Sequence, residues 1–189
     1  MNREEQLRAN GALVLDELHT ALNSIDMAAV SALIDEILAA DQVFVIGVGR
    51  VLLSLQAFAK RLAHLGIRMH YVGEICEPAI TPKDLLIVGS GSGNTLFPAG
   101  IARKAKGIGA KIVHIGSNPS SSIADITDLM VRIPVRTKNY LDDEIDSRQP
   151  MTSLFEQSLL LLGDIIAKTI VDERRLDMKA LWQYHANLE

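Results

Sequence analysis

Short apolar runs that end in glycine, each followed by a helical pattern, constrain the fold of this chain most. The clearest are Val43–Ile46, which leads into Gly47-Val48-Gly49, and residues 85–88, which lead into a turn of glycines and hydroxyl residues. A continuous apolar run of this length is typical of a strand buried on both faces of a parallel sheet. Because such runs alternate with helical segments, the sequence predicts an α/β fold with right-handed crossovers and helices on both faces.

The other segments complete this pattern. We predict helices at residues 51–65, 96–108 and 153–171, and two more within residues 1–40, where apolar residues recur every three to four positions and Ser24 or Asp26 is a cap between them. Residues 136–149 are polar and acidic and are interpreted as an exposed loop. The 189 residues divide into N-terminal helices (1–40), a parallel α/β core (41–172) and a polar C-terminal tail (173–189), within one domain. The five predicted strands are residues 43–46, 67–72, 85–88, 112–115 and 129–133.

Composition excludes several classes of function. The net charge is −4 and no segment concentrates basic residues, which disfavours nucleic acid as a partner. The single cysteine, Cys76, excludes an intrachain disulfide and a CxxC pair, and it agrees with a reducing compartment. Because no run of about 18 apolar residues exists, we expect a cytoplasmic protein without a membrane partner. His19, His70 and His114 match no metal-ligand spacing, so no metal is expected.

The second glycine-rich turn has the composition of a phosphate-binding loop. Ser90, Ser92 and Thr95 place three hydroxyls among glycines directly before a predicted helix. Backbone N–H groups, hydroxyls and the positive end of a helix together bind a phosphate monoester. The alternative is a flexible glycine-serine turn without a ligand. A nucleotide site is weakly supported, because Leu52 replaces the third glycine of a dinucleotide fingerprint and neither turn carries the lysine of a P-loop.

Several motifs together resemble the sugar isomerase (SIS) domain, and more closely the 6-phospho-3-hexuloisomerase group within it. The resemblance covers almost the whole chain. The serine-glycine turn is typical of any SIS domain, whereas the segments around His64, before Glu156 and at the C-terminus are more specific. The matching segments are residues 47–50, 58–66, 71–74, 84–87, 90–95, 117–119, 149–151, 153–156 and 185–188.

The resemblance implies a fold and a reaction. The fold is a three-layer α-β-α sandwich around a five-stranded parallel sheet of flavodoxin-like type, assembled as a homo-oligomer, either a tetramer or a dimer of dimers. The reaction interconverts a 3-ketohexose 6-phosphate and fructose 6-phosphate through an enediol, without metal or organic cofactor. Such chemistry needs a base that moves a proton between adjacent carbons and an acid that serves the oxygens.

The resemblance also implies roles for individual residues. Glu156 is the expected base, although Ser153 and Glu156 also have the spacing of a capping box. His64 and His185 are the expected acid or ring-opening groups; the alternatives are contacts with helix-end carbonyls for His64 and a solvated tail for His185. Related SIS isomerases use a late histidine that reaches a neighbouring subunit's site. The expected phosphate ligands are Ser90, Ser92, Thr95, Gly49 and Arg50, and further substrate contacts are expected from Gly91, Gly93, Asn94 and Glu74.

The sequence departs from the family at two places. Val51 and Leu52 stand where the family usually has serine and glycine, and Asn94 stands where it often has glutamate. Valine lacks the hydroxyl that helps to hold the phosphosugar. This departure motivates an alternative function, a non-catalytic phosphosugar sensor or regulatory subunit. Residues 1–40 are too short and too acidic for a DNA-binding helix-turn-helix region, so this alternative requires a protein partner.

Overall fold

A five-stranded, all-parallel sheet forms the centre of the molecule. The computed structural model describes residues 1–188. The strand order is β2-β1-β3-β4-β5, the flavodoxin-like order of a doubly wound sheet. Val43 of β1 is aligned with Met69 of β2 on one side and with Leu85 of β3 on the other. The strands are β1 (Val43–Ile46), β2 (Met69–Tyr71), β3 (Leu85–Gly89), β4 (Lys111–Gly116) and β5 (Leu129–Arg132).

Helices cover both faces of the sheet, which confirms the predicted three-layer architecture. Side chains of a strand alternate between the faces, so Val43 and Val45 join the core under α1, α2, α3 and α5, whereas Phe44 and Ile46 join the core under α4. The helices are α1 (Arg3–Asn23), α2 (Met27–Ala39), α3 (Gly49–Ala63), α4 (Leu96–Ile108) and α5 (Ser153–Glu173), with 3-10 helices at Ala124–Ile126 and Ala180–Tyr184. No helix within residues 1–188 is long and apolar enough to cross a membrane.

Local sequence explains where the helices begin and end. Asn2 and Glu5 form a capping box at the start of α1, and the Asp26 side chain accepts a hydrogen bond from Ala28 N at the start of α2. Gly109 ends α4 in the left-handed conformation, with φ of 102°. Asp26 is therefore the N-cap that the sequence offered as one of two choices, while Ser24 ends α1.

Two segments differ from their predicted character. The 136–149 segment is a loop, but Thr137, Ser147 and Gln149 are 3%, 4% and 9% exposed, so it is anchored rather than solvated. The C-terminal tail is not simply polar, because Leu176 and Leu181 pack against the larger core. Both segments are held by contacts distant in sequence, which composition does not reveal.

The predicted apolar face of α1 is also only partly correct. Leu7 and Leu15 are exposed, and the buried residues of α1 are Glu17 and Ala21, with Leu18 packing against the core at its edge. The first half of α1 is therefore exposed in the single chain.

Candidate active site

The turn between β3 and α4, residues 89–95, is folded by its own hydroxyls. Ser90 Oγ and Thr95 Oγ1 are 3.1 Å apart, and Ser90 Oγ accepts a hydrogen bond from Gly93 N at 3.1 Å. Ser92 Oγ accepts from Asn94 N at 3.3 Å. These bonds curl the backbone into a compact loop at the carboxyl end of β3, where ligands of open parallel sheets bind.

Residues of β4 and of the segment after it hold this turn from behind. His114 Nε2 donates to Ser90 O at 2.9 Å, and Asn118 Nδ2 donates to Ser92 O at 3.2 Å. Gly93 has a φ of +64°, and a Cβ added there would lie 2.2 Å from Ser121 Cβ. Only glycine fits this position without strain. Burial, opposed by the bond to Ser90, lowers the pKa of His114, so its imidazole is neutral at neutral pH.

The start of α4 adds anion-binding potential to the turn. Thr95 is the N-cap residue and makes no side-chain cap bond within residues 1–188. Pro98, which carries no N–H, lies in the first turn, where helical N–H groups lack intrahelical partners. The N–H groups of Leu96 and Phe97 therefore have no intrahelical acceptor, and together with the helix dipole they favour an anion at the start of α4. Asn94 is turned away from this task, because its Oδ1 accepts from Ser122 N at 2.8 Å.

Glu156 is a buried carboxylate in the first turn of α5. Its Oε2 accepts a hydrogen bond from Arg50 Nε at the start of α3, and its Oε1 accepts from Thr152 Oγ1 at 2.8 Å. Ser54 Oγ donates to the backbone carbonyl of Glu156 at 2.8 Å. The capping-box alternative is wrong: α5 begins at Ser153 with Thr152 as its N-cap, so Glu156 is not the capping-box residue of this helix. The carboxylate is oriented by side chains instead.

The 89–95 turn and the start of α5 meet at Gly91. A Cβ added at Gly91 would lie 2.8 Å from Thr137 Cγ2 and 3.7 Å from the ring of Phe155, the residue before Glu156. A cavity of about 220 Å³ opens beside the carboxylate, lined by Arg50, Leu53, Ser54, Ala57, Glu156, Gln157 and Leu160. The 89–95 turn therefore packs against the start of α5, the helix whose first turn carries the oriented Glu156 carboxylate.

The other predicted ligands lie around the same edge of the sheet. Gly49 and Arg50 begin α3 directly after β1, and the Arg50 guanidinium is engaged with Glu156. A Cβ added at Gly89 would lie 3.0 Å from Val51 Cγ1, so valine packs against the end of β3. Glu74 follows the edge strand β2, where its Oε1 is 2.6 Å from His70 Nδ1.

His64 and His185 form a second cluster. Their rings stack with centroids 5.2 Å apart, and the Trp182 ring lies 5.1 Å from that of His185. The Nε2 of His64 is buried and has no hydrogen-bond partner among residues 1–188. Burial and the charges of Lys60, Arg61 and His185 lower the pKa of His64. The cluster lines a cavity of about 460 Å³ between the end of α3, the second half of α5 and the C-terminal 3-10 helix.

A single chain does not bring the histidines to Glu156. Arg50 contacts Glu156 from the start of α3, whereas His64 caps the end of the same helix. At 1.5 Å per residue, the two ends of α3 are about 20 Å apart. The predicted site residues therefore form two groups. His64 and His185 lie at the far end of α3, and the others lie at the carboxyl edge of the sheet: Ser90, Gly91, Ser92, Gly93, Asn94, Thr95, Gly49, Arg50, Glu74 and Glu156.

The sequence did not predict roles for Thr152, Thr137 and Glu17. Thr152 lies between the family-like segments 149–151 and 153–156, so its position was a usable signal. Thr137 and Glu17 gave none, because their partners are distant in sequence: Thr137 abuts Gly91, and Glu17 accepts hydrogen bonds from Ser147, Arg148 and Gln149. Within residues 1–188, no cluster of three or more His, Cys, Asp or Glu side chains could hold a metal ion.

Comparison with known proteins connects this geometry to a family. Residues 36–161 match the SIS domain family model. The chain is 39% identical to the 3-hexulose-6-phosphate isomerase of Bacillus subtilis (strain 168) over 94% of this chain and 96% of that protein. It is 37% identical to the enzyme of the same name from Mycobacterium gastri, over 98% of this chain and 92% of that protein.

A solved structure agrees in fold as well as sequence. The crystal structure of a Methanococcus jannaschii protein superimposes on this chain with a TM-score of 0.82 at 31% identity. For that protein, a molecular function of 3-hexulose-6-phosphate isomerase was inferred from its structure. The match covers 96% of this chain and 99% of that one. On the matching domain, the full-length relatives and the doubly wound sheet, this chain belongs to the SIS domain family.

Proposed function

We propose that this protein is a phosphosugar isomerase that interconverts 3-hexulose 6-phosphate and fructose 6-phosphate. The family and the relatives of that name support an isomerase. The observation that supports the proposal is the packing of the 89–95 turn against Phe155 at the start of α5, because the next residue of that helix is the buried Glu156. In this arrangement the turn binds the 6-phosphate and the carboxylate faces the carbon chain.

The proposed reaction moves a proton and two electrons within one molecule. Glu156 removes the proton from C2 of the 3-ketose, and the C2–H electrons form the C2–C3 double bond of an enediol as the C3 oxygen accepts a proton. The 2-hydroxyl then loses its proton to become the C2 carbonyl, while Glu156 returns its proton to C3. Carbonyl and alcohol exchange places, so the steps consume no redox cofactor.

Arg50 and Thr152 serve this base by fixing its direction. Each holds one carboxylate oxygen, through Arg50 Nε and Thr152 Oγ1. A base held in one orientation loses less entropy when the substrate is placed against it. Arg50 also remains more than half exposed and can meet negative charge on a bound sugar phosphate.

We further propose that His64 and His185 act from a neighbouring subunit of a homo-oligomer, as acid or ring-opening groups. This is supported by their separation from Glu156 within the chain and by the exposed apolar residues of α1, including Leu7 and Leu15. The pKa of His64 is lowered by burial and nearby positive charges. A largely neutral imidazole at neutral pH can both accept and donate protons.

The base assignment is tested with Glu156→Gln. This variant keeps the shape of the side chain but removes the basic carboxylate. We therefore expect turnover to fall by a factor of about 10³ or more, while the affinity for fructose 6-phosphate stays within a few-fold of the wild-type value. Isothermal titration measures binding and a coupled assay measures turnover. Glu173→Gln, an exposed residue at the end of the same helix, is the control and should match the wild type. Unchanged turnover in Glu156→Gln would refute the assignment.

A further inference from the structure

We propose that Glu17 is a positioning residue that acts from α1 on the segment carrying Glu156. The inference rests on the proposed isomerase function for its kinetic consequence, and on contacts alone for its structural one. Glu17 and Ala21 are the buried residues of α1, whose first half is exposed. Since α1 buries few apolar side chains but does bury a carboxylate, its contacts include a specific polar one besides apolar packing.

Three donors from one short segment converge on this carboxylate. Ser147 Oγ donates to Oε2 at 2.6 Å, Gln149 Nε2 donates to the same oxygen at 3.0 Å, and Arg148 N donates to Oε1 at 2.8 Å. Burial alone would raise the pKa of Glu17, but the hydrogen bonds and the nearby Arg148 charge outweigh it and hold that pKa below its ordinary value. The group is therefore a carboxylate at neutral pH, and residues 147–149 are pinned by an acceptor 130 positions away in sequence.

The pinned segment leads directly to the proposed base. Pro150 and Met151 connect Gln149 to Thr152, the N-cap of α5. Thr152 then donates its hydroxyl to Glu156 Oε1. Because Met151 is almost fully exposed and has a φ of +56°, the connection itself has little packing to hold it. The direction in which α5 starts is thus set on its upstream side by the Glu17 contacts.

The other end of the same loop rests on the 89–95 turn. Glu144 accepts hydrogen bonds from Thr137 N and Thr137 Oγ1 at 3.1 and 3.0 Å, and the Thr137 methyl abuts Gly91. The loop of residues 136–149 is thereby fixed at both ends, to the turn at one and to Glu17 at the other. Loosening the end of the loop that Glu17 holds should therefore change the position of Glu156 relative to the 89–95 turn.

Replacing a buried acceptor also lowers stability, so the test needs a matched control. Asp128 is suitable because it too accepts a backbone hydrogen bond, from Ile112 N at 2.8 Å, and a lysine contact, from Lys106. It directly precedes β5, at the opposite end of the sheet from the proposed site. Glu17→Gln and Asp128→Asn therefore each neutralise a carboxylate that accepts a backbone hydrogen bond, at opposite ends of the sheet strands.

The experiment combines kinetics with amide hydrogen exchange on the full chain. In Glu17→Gln we expect kcat to fall about 10- to 100-fold with KM for fructose 6-phosphate changed less than about 3-fold, since misplacement of a base affects the chemical step. Amides of residues 147–157 should exchange about 10-fold faster or more. Asp128→Asn should change neither quantity. Ser147→Ala, which removes one donor and keeps the carboxylate, should show a smaller change of the same kind and serves if Glu17→Gln does not fold.

The outcomes separate this inference from the proposed function. Wild-type kcat together with wild-type exchange at residues 147–157 in both Glu17→Gln and Ser147→Ala would overturn the positioning role. Equal kinetic losses in Asp128→Asn would also overturn it, because they would indicate a general effect of stability. If the wild type turned over no phosphosugar while Glu17→Gln still loosened residues 147–157 selectively, the proposed function would fail and the structural part of the inference would stand.

Discussion

At the scale of single residues, Val51 packs at the end of β1 and leaves the site without the hydroxyl that is usual in the family. A Cβ added at Gly47 would lie 3.2 Å from Val51 Cγ1, and one added at Gly89 would lie 3.0 Å from it. Val51→Ser adds the hydroxyl usual in the family, so we expect KM for the phosphosugar to fall about 2- to 10-fold, as one hydrogen bond allows. Lost packing should lower the free energy of unfolding by about 1 kcal/mol. Val51→Ala is the control, and equal KM values in the two variants would contradict the prediction.

We expect His114 to make the free energy of unfolding depend on pH. Its folded-state pKa is lowered from 6.5, chiefly by burial. Between the folded pKa and about 6.5, the unfolded chain therefore binds a proton that the native state does not bind. The free energy of unfolding should be highest above pH 6.5 and should fall as the pH drops from 6.5 toward the folded pKa. Urea denaturation between pH 5 and 7.5 measures this. His114→Gln should flatten the dependence in part, since His64 also has a lowered pKa; an unchanged slope would contradict the account.

At the scale of elements, the 89–95 turn depends on one left-handed residue. Gly93→Ala would place a Cβ 2.2 Å from Ser121 at a φ of +64°. We expect it to lower the free energy of unfolding by about 2 kcal/mol or more and to weaken fructose 6-phosphate binding at least about 10-fold. Gly100→Ala is the matched control. An added Cβ there meets no described atom within 4 Å, and alanine in a helix should stabilise by about 0.5–1 kcal/mol. Urea denaturation and titration calorimetry decide, and wild-type binding by Gly93→Ala would refute this role of the turn.

Elements with a strong local signal were predictable from the sequence, and elements defined by distant contacts were not. The apolar runs identified β1 and β3, and the predicted helix over residues 96–108 has the observed bounds of α4. The edge strand β2 is shorter than predicted, because it pairs on one side only. The 89–95 turn was predictable from its hydroxyls and glycines. The orientation of Glu156 by Arg50, 106 positions away, was not, since no local pattern encodes that contact.

At the scale of the whole molecule, the proposed shared site combines the two groups of site residues from two chains. We expect a homo-oligomer by light scattering at micromolar concentration. His185→Asn should lower kcat about 10- to 100-fold. If the site is shared, mixing unfolded Glu156→Gln and His185→Asn chains and refolding them together should restore part of the activity, because some sites then combine an intact Glu156 with an intact His185. A monomeric wild type, or no recovery in mixed oligomers, would contradict the shared site.

The proposed isomerase moves a proton between adjacent carbons of a phosphosugar beside the 89–95 turn. The most direct measurement is NMR of fructose 6-phosphate incubated with the purified protein in deuterated water. We expect 3-hexulose 6-phosphate to form and deuterium to appear at the carbon beside the carbonyl, and we expect Glu156→Gln to abolish both. Binding of fructose 6-phosphate, and of a panel of hexulose, pentose and amino-sugar phosphates, without exchange on any of them would contradict this expectation and favour a phosphosugar sensor.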